Sequence, residues 1–322
     1  MSYRLGVRVH REQAPETVIE YVRLIEELGF DDAWVVEDLA FAAGLTAAAA
    51  ALASTGRLQV GIGILAAVVR NPAFLAMELA TVDRMFPGRL VAGVGHGVQS
   101  WMGDVGVRAA SPLTALRETL GALEHILDGE PATVDGRYVR LDGIRLVFPP
   151  DRRPPILAGV RGPKSLALAG AHCDGAVLAE PVVPGYLRWV RELLDPAAAD
   201  AGRARPQVAA YTWLSVDDDT RAAQERLRPA LAANLADPDS HANLRGLPFA
   251  EELSARLTAG GGAEAIEPEW VSRLGIVGTP AECAASIAQL AAAGADRIIL
   301  LPPPGEEAAQ LQTFAAQVKP LR

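Results

Sequence analysis

The chain has 322 residues, half of them hydrophobic, with 30 basic and 39 acidic side chains and a formal net charge of −9. That composition supports a large core and excludes wholesale disorder, and the acidic balance argues against nucleic acid or an anionic membrane as partner, since both need clustered positive charge. Two cysteines, Cys173 and Cys283, are too few for a disulfide framework or a tetrahedral zinc site.

The opening, MSYRLGVRVHR, lacks a charged-then-apolar signal pattern, and no apolar run of about 18 residues follows it. The expectation is a soluble, cytoplasmic, acidic α/β protein, with no chemistry yet named. Periodicity then sets out the elements. A strand at Leu5–Val9 precedes a helix over Glu16–Glu27, whose Val18, Ile19, Val22 and Ile25 share one face before the stop at Gly29. A strand at Ala33–Val36 leads to an alanine-rich helix near Thr46–Ala53. The strand Gln59–Leu65 is almost continuously apolar, as expected where both faces of a parallel strand are buried. A helix begins at Pro72 and runs to Arg84, followed by a strand at Leu90–Val94 and a helix over Pro112–Leu127.

Thr133–Phe148 breaks the rhythm and reads as an inserted hairpin, with turns at Asp135-Gly136 and Asp142-Gly143. Alternation resumes with strands at Ile156–Ala158, Gly175–Leu178 and Val208–Val216. Helices are expected at Pro163–Ala171, Tyr186–Leu194 and Asp219–Ala233. Residues 235–275 show no clear periodicity, carry Gly260-Gly261-Gly262 and read as a lid-like insertion. A helix at Pro280–Ala293, a strand at Arg297–Leu301 and a final helix complete the chain. Eight strand–helix units predict one (β/α)8 TIM barrel over residues 1–322, with insertions at about 133–148 and 235–275. A dinucleotide-binding sheet is disfavoured because His10-Arg11-Glu12, not a glycine fingerprint, follows the first strand.

Barrel enzymes work at the C-terminal ends of their strands, so the shortlist is read there. Gly159-Val160-Arg161-Gly162-Pro163-Lys164-Ser165 ends a strand and opens a helix. Free N–H groups beside Arg161 and Lys164 make an anion site or an ordinary turn, and lysine's rarity (only Lys164 and Lys319) favours the anion. In Gly93-Val94-Gly95-His96-Gly97 the glycines allow either a close ligand approach or merely a tight loop, with His96 able to donate a hydrogen bond or proton. Glu37 and Asp38 could hold a polar substrate or transfer a proton, but neighbours on an extended chain face opposite ways and cannot form a dyad. The five histidines, 10, 96, 125, 172 and 241, lack metal-ligand spacing, so no metal is expected.

In order, APETVIEYVRLIEELGFDDAW (14–34), NPAFLAMELATVDRMFPGRLVAGVGHG (71–97), the hairpin VDGRYVRLDGIRL and RPPILAGVRGPKSLALAGAHCDGAVL (153–178) resemble the bacterial luciferase-like superfamily of flavin- and deazaflavin-dependent oxidoreductases. Within that superfamily the chain resembles the deazaflavin-dependent members of the methylenetetrahydromethanopterin reductase type. The resemblance implies a homodimeric barrel holding coenzyme F420, or alternatively FMN, at the strand C-termini. A bulge with a non-proline cis peptide would support the ring around Ile64, Leu65, Ala66 and Ala67. Gly95, His96 and Gly97 would lie at its polar edge, and Gly159, Val160, Gly162, Pro163 and Lys164 would take its phosphate. Glu37, Asp38 and His96 become candidates for proton transfer; His10, Trp101 and Glu180 for substrate contact. Many relatives carry Asp-His where this chain has Glu37-Asp38, so His10 and His96 are the alternative imidazoles. The implied activity is hydride transfer between the deazaflavin and a small organic substrate; an FMN-dependent monooxygenase and a flavin-binding barrel without turnover are the competing readings.

Overall fold

Eight short parallel strands close on themselves in the computed structural model, which describes residues 3–321. In chain order the strands are β1 (Arg4–Arg8), β2 (Asp32–Val35), β3 (Gln59–Ala66), β4 (Leu90–Gly95), β5 (Ala132–Asp135), β6 (Arg140–Ile144), β7 (Ile156–Gly159), β8 (Gly175–Leu178), β9 (Gln207–Val216), β10 (Gly275–Gly278) and β11 (Arg297–Leu301). The ring runs β1-β2-β3-β4-β7-β8-β9-β11 and back to β1, and the β8–β9 ladder from Gly175↔Gln207 to Leu178↔Ala210 completes it. This is the expected (β/α)8 architecture. Among the described residues β5 and β6 pair only with each other, as the expected hairpin insertion.

Strand alternation divides the apolar residues between two cores. Inside the ring lie Trp34, Val91, Leu157, Val177, Tyr211 and Ile299, joined by Trp213. Outside it, Val7, Val35, Ile62, Ala158, Ala210 and Leu300 meet the apolar stripes of the helices. Gly61 exists to admit Trp34, whose ring occupies the space a Cβ would need.

The N-terminal ends of the strands are fastened by aspartates that immediately precede or begin a strand. Asp31 accepts the Leu5 N–H at 2.8 Å, Asp174 accepts Ile156 N–H at 2.8 Å, and Asp296 accepts Val208 N–H at 2.8 Å. Each therefore sets the register of its neighbour. Beside them, fully buried Asp32 joins Arg297 at 2.7 Å and Arg4 at 2.8 Å.

Three segments differ from the sequence expectation. The 235–275 stretch is helical, with a 3-10 turn at Pro238–Leu244 and helices at Ala250–Thr258 and Pro268–Leu274. Its Leu244, Phe249, Leu253, Val271 and Leu274 are buried against the helix Thr220–Leu235, so the segment is a packed layer. It also delivers β10, an additional strand beside the upper half of β9 that the sequence reading did not list. Finally, the helix expected to stop at Leu194 continues through Pro196 to Asp200, because buried Ala198 extends the face already packed by Val190 and Leu194.

Replacing Asp32 by alanine would leave the Arg297 guanidinium buried without its carboxylate, a loss of about 3–5 kcal/mol for a broken buried pair. Chemical denaturation of Asp32→Ala reports it as a lowered midpoint; an unchanged midpoint would deny the collar this role.

Candidate active site

The C-terminal ends of the ring form a floor by the removal of side chains. The Gly63–Ile64 peptide is cis, and the β3–β4 register shifts between Ile62 and Leu65. Ile64 is thereby carried over β4 and β7, where Gly93, Gly95 and Gly159 lie beneath it. A Cβ on Gly159 would come within 2.6 Å of Ile64 Cγ2, and one on Gly95 within 2.5 Å of the Gly159 carbonyl oxygen. The bulge expected around Ile64, Leu65, Ala66 and Ala67 is centred at the start of that stretch, on Gly63 and Ile64. Leu65, Ala66 and Ala67 follow it buried.

At the floor's edge the helix Pro163–His172 begins with Gly162 as its N-cap and no side chain capping it. The N–H groups of Lys164 and Ser165 belong to the first helical turn, which has no intrahelical acceptors for them. A Cβ on Gly162 would meet nothing within 4 Å, so the backbone is open to an incoming group. His96 bridges the two regions: its Nε2 is 2.9 Å from Ser165 Oγ, and its buried Nδ1 has no partner. Val160 is buried, Gly97 has φ 70° and packs near Ala66 and Met102, and Trp101 is half-buried on the short helix Gln99–Asp104. Open backbone, cationic neighbours and a flat apolar seat fit a ring compound bearing a phosphate.

The acidic candidates separate into different tasks. Glu37 accepts both Arg70 nitrogens, at 2.6 and 2.9 Å, and the Gly44 N–H at 3.0 Å, so it ties the loop after β2 to the loop after β3. This forked charge-assisted pair raises the Arg70 pKa. Asp38 meets Arg11 at 3.1 Å through one oxygen, and Arg11 also covers the Phe41 ring at 5.1 Å. Glu180 points across the barrel to Arg8 at 2.6 Å, where it anchors a cation inside the ring.

His10 is buried, its ring centroid 6.5 Å from that of Trp213. His10 Nε2, Trp213 Nε1, Arg8 Nε and Tyr211 Oη are buried atoms without hydrogen-bond partners. The Tyr211 hydroxyl occupies the space a Cβ on Gly63 would need, directly under the bulge. Arg8, Tyr211 and Trp213 were absent from the sequence shortlist. Period-two alternation places Arg8 on the face of His10, which was the available signal.

A cavity of about 1040 Å³ opens elsewhere, among Asp83, Arg84, Asp151, Arg153, Asp174 and Arg297. These residues flank the N-terminal ends of the strands, the end of a barrel associated with stability, and Arg153 and Arg297 are already ion-paired there.

The luciferase-like monooxygenase family model matches residues 1–297. A 5,10-methylenetetrahydromethanopterin reductase of Methanolobus tindarius is 27% identical over 89% of this chain and 90% of its own. A putative coenzyme F420-dependent oxidoreductase of Mycobacterium tuberculosis is 30% identical over 68% of each. The solved coenzyme F420-dependent tetrahydromethanopterin reductase of Methanopyrus kandleri superposes with a TM-score of 0.82 at 22% identity, covering 100% of this chain and 99% of that one. The chain belongs to the luciferase-like monooxygenase family.

Burial lowers the pKa of both His10 and His96 from 6.5, with Arg8 adding to the effect at His10. Both imidazoles are therefore neutral at neutral pH. As pH falls below 6.5 the unfolded chain takes up protons that these folded imidazoles refuse, so stability is lost until the depressed folded pKa values are reached. Melting temperature measured from about pH 7.5 down to about pH 5 should fall, and His10→Asn with His96→Asn should flatten the decline. An equally steep decline in that variant would count against the assignment.

Proposed function

We propose that this member of the luciferase-like monooxygenase family is an oxidoreductase that moves a hydride between coenzyme F420 and a small organic substrate. The observation that carries the reading is the Ile64 floor over Gly93, Gly95 and Gly159, set beside the open helix start at Gly162. The relatives named for coenzyme F420 support that cofactor over FMN. When bound, the deazaflavin supplies the two-electron redox chemistry that no side chain offers.

The chain's residues then take the following tasks. Lys164, with the first-turn N–H groups of Lys164 and Ser165, holds the phosphate, and Gly159, Val160, Gly162 and Pro163 shape its cradle. Ser165 fixes the His96 ring, which as a neutral imidazole contacts the cofactor's polar edge between Gly95 and Gly97. Ile64, Leu65 and Ala66 give the seat its apolar surface and keep water from beneath the ring. His10 and Trp213 offer buried donor atoms to a substrate oxygen, and Trp101 closes over it. Asp38 keeps one oxygen free of Arg11 and is the carboxylate better suited to move a proton than Glu37, which Arg70 and Gly44 already occupy. Glu180 acts on the substrate side only through Arg8.

Titration of the purified chain with coenzyme F420 and, separately, with FMN tests the reading. Saturable binding of F420 is expected, weakened about tenfold by Lys164→Ala, the loss of one charge-assisted phosphate contact. Binding of FMN alone would move the chain to the flavin monooxygenases, and binding of neither would remove the reading.

A further inference from the structure

A second cavity, about 360 Å³, lies outside the barrel wall between the helices Pro184–Asp200 and Pro280–Ala292. That volume is at the small end of the range for ligand pockets. Its existence follows from the β10 insertion: Ser272 and Gly275 hold the wall open where β8 has already ended and β9 continues.

The cavity has an unusual chemistry for a chain of net charge −9. Arg188 and Arg273 line it, and neither has a hydrogen bond or ion pair among the described residues, whereas no carboxylate lines it. Thr212 is 0% exposed, and its hydroxyl, directed to the outer face of β9 where this cavity lies, has no partner. Leaving a buried hydroxyl unpaired is costly, so an acceptor is expected there. Ser272 Oγ accepts from Gln224 Nε2 at 3.0 Å, which leaves its own O–H to be donated. Gly185 brings the first turn of the helix Pro184–Asp200, which has no side-chain cap, to the same space. Two unpaired guanidinium groups, two hydroxyl donors and a bare helix start share one preference, an oxyanion.

We propose that this cavity binds a small oxyanion, the phosphate or carboxylate group of a metabolite-sized ligand, at a site distinct from the cofactor cradle. The two are separated by the barrel wall: Thr212 faces outward, and its neighbours Tyr211 and Trp213 face the interior. An occupant would therefore touch β9 on the side opposite the proposed substrate.

Calorimetric titration of the full chain with inorganic phosphate, and separately with malonate, tests the site. Saturable binding of either is expected, phosphate and malonate reporting the two sources of the oxyanion. The Arg188→Gln, Arg273→Gln double variant should lose at least about tenfold in affinity, the worth of a charge-assisted contact. Thr212→Val, which removes only the hydroxyl, should lose severalfold while melting no lower than the parent in the absence of anion. The same titrations in the Lys164→Ala background, where the cofactor cradle has lost its cation, separate this cavity from that other phosphate site: binding that is sensitive to the two arginine substitutions should persist there. Equal affinity in the double arginine variant, no arginine-sensitive binding in the Lys164→Ala background, or no binding of either anion would each overturn the proposal. The arginine-sensitive binding is read without F420, so its failure and the failure of the F420 reading are distinguishable.

Discussion

Ile64 can lie across the mouth of this barrel only because three facing positions carry no side chain. Gly93, Gly95 and Gly159 contribute backbone where any other residue would place a Cβ into Ile64 or into the opposing strand. Close packing makes this an all-or-none condition, since an interior has no slack to absorb an extra methyl at such distances. The floor, the approach to the helix at Pro163 and the His96–Ser165 bridge all depend on that spacing. A site assembled this way is fixed by the strands, with loops added around it, which agrees with a scaffold that keeps its cofactor seat and varies its substrate pocket.

Charge is distributed along the barrel axis in a way that serves the same end. At the N-terminal end, Asp31, Asp174 and Asp296 each take a backbone N–H from the neighbouring strand and align the ring. Towards the C-terminal end, the Arg8–Glu180 pair joins the end of β1 to the segment that follows β8. At the C-terminal end, the free polar atoms are mostly donors: the helix start at Lys164, the His10 and Trp213 nitrogens and the Arg8 Nε. Carboxylates that the sequence brought forward there are already engaged, Glu37 by Arg70 and Glu180 by Arg8. The mouth is thus prepared for acceptor groups, and neutral histidines keep its charge modest.

Much of this was legible in the sequence because buried parallel strands and amphipathic helices leave strong periodic signals. Ile62, Leu65, Val94 and Leu178 fall in runs that could be little else. The glycines at 95, 97, 159 and 162 were legible too, since glycine at a strand end has few other purposes. β10 was not, because Gly275-Ile276-Val277-Gly278 is too short to show a period and directly follows a helix. The packed helices of 235–275 were obscured by Gly260-Gly261-Gly262. The helix expected to end at Leu194 runs on through Pro196, because buried Ala198 continues its packed face. Pairings such as Glu37 with Arg70, or Arg8 with Glu180, join residues far apart in the chain and exist only once the ring has closed.

The most direct test of the account is the affinity of Gly159→Ala for coenzyme F420, measured beside its melting temperature. The added methyl should displace Ile64 and abolish or strongly weaken binding, and the Gly159→Ala, Ile64→Ala pair should recover part of it by vacating the contested space. A folded Gly159→Ala chain that binds the cofactor as tightly as the parent would contradict the account.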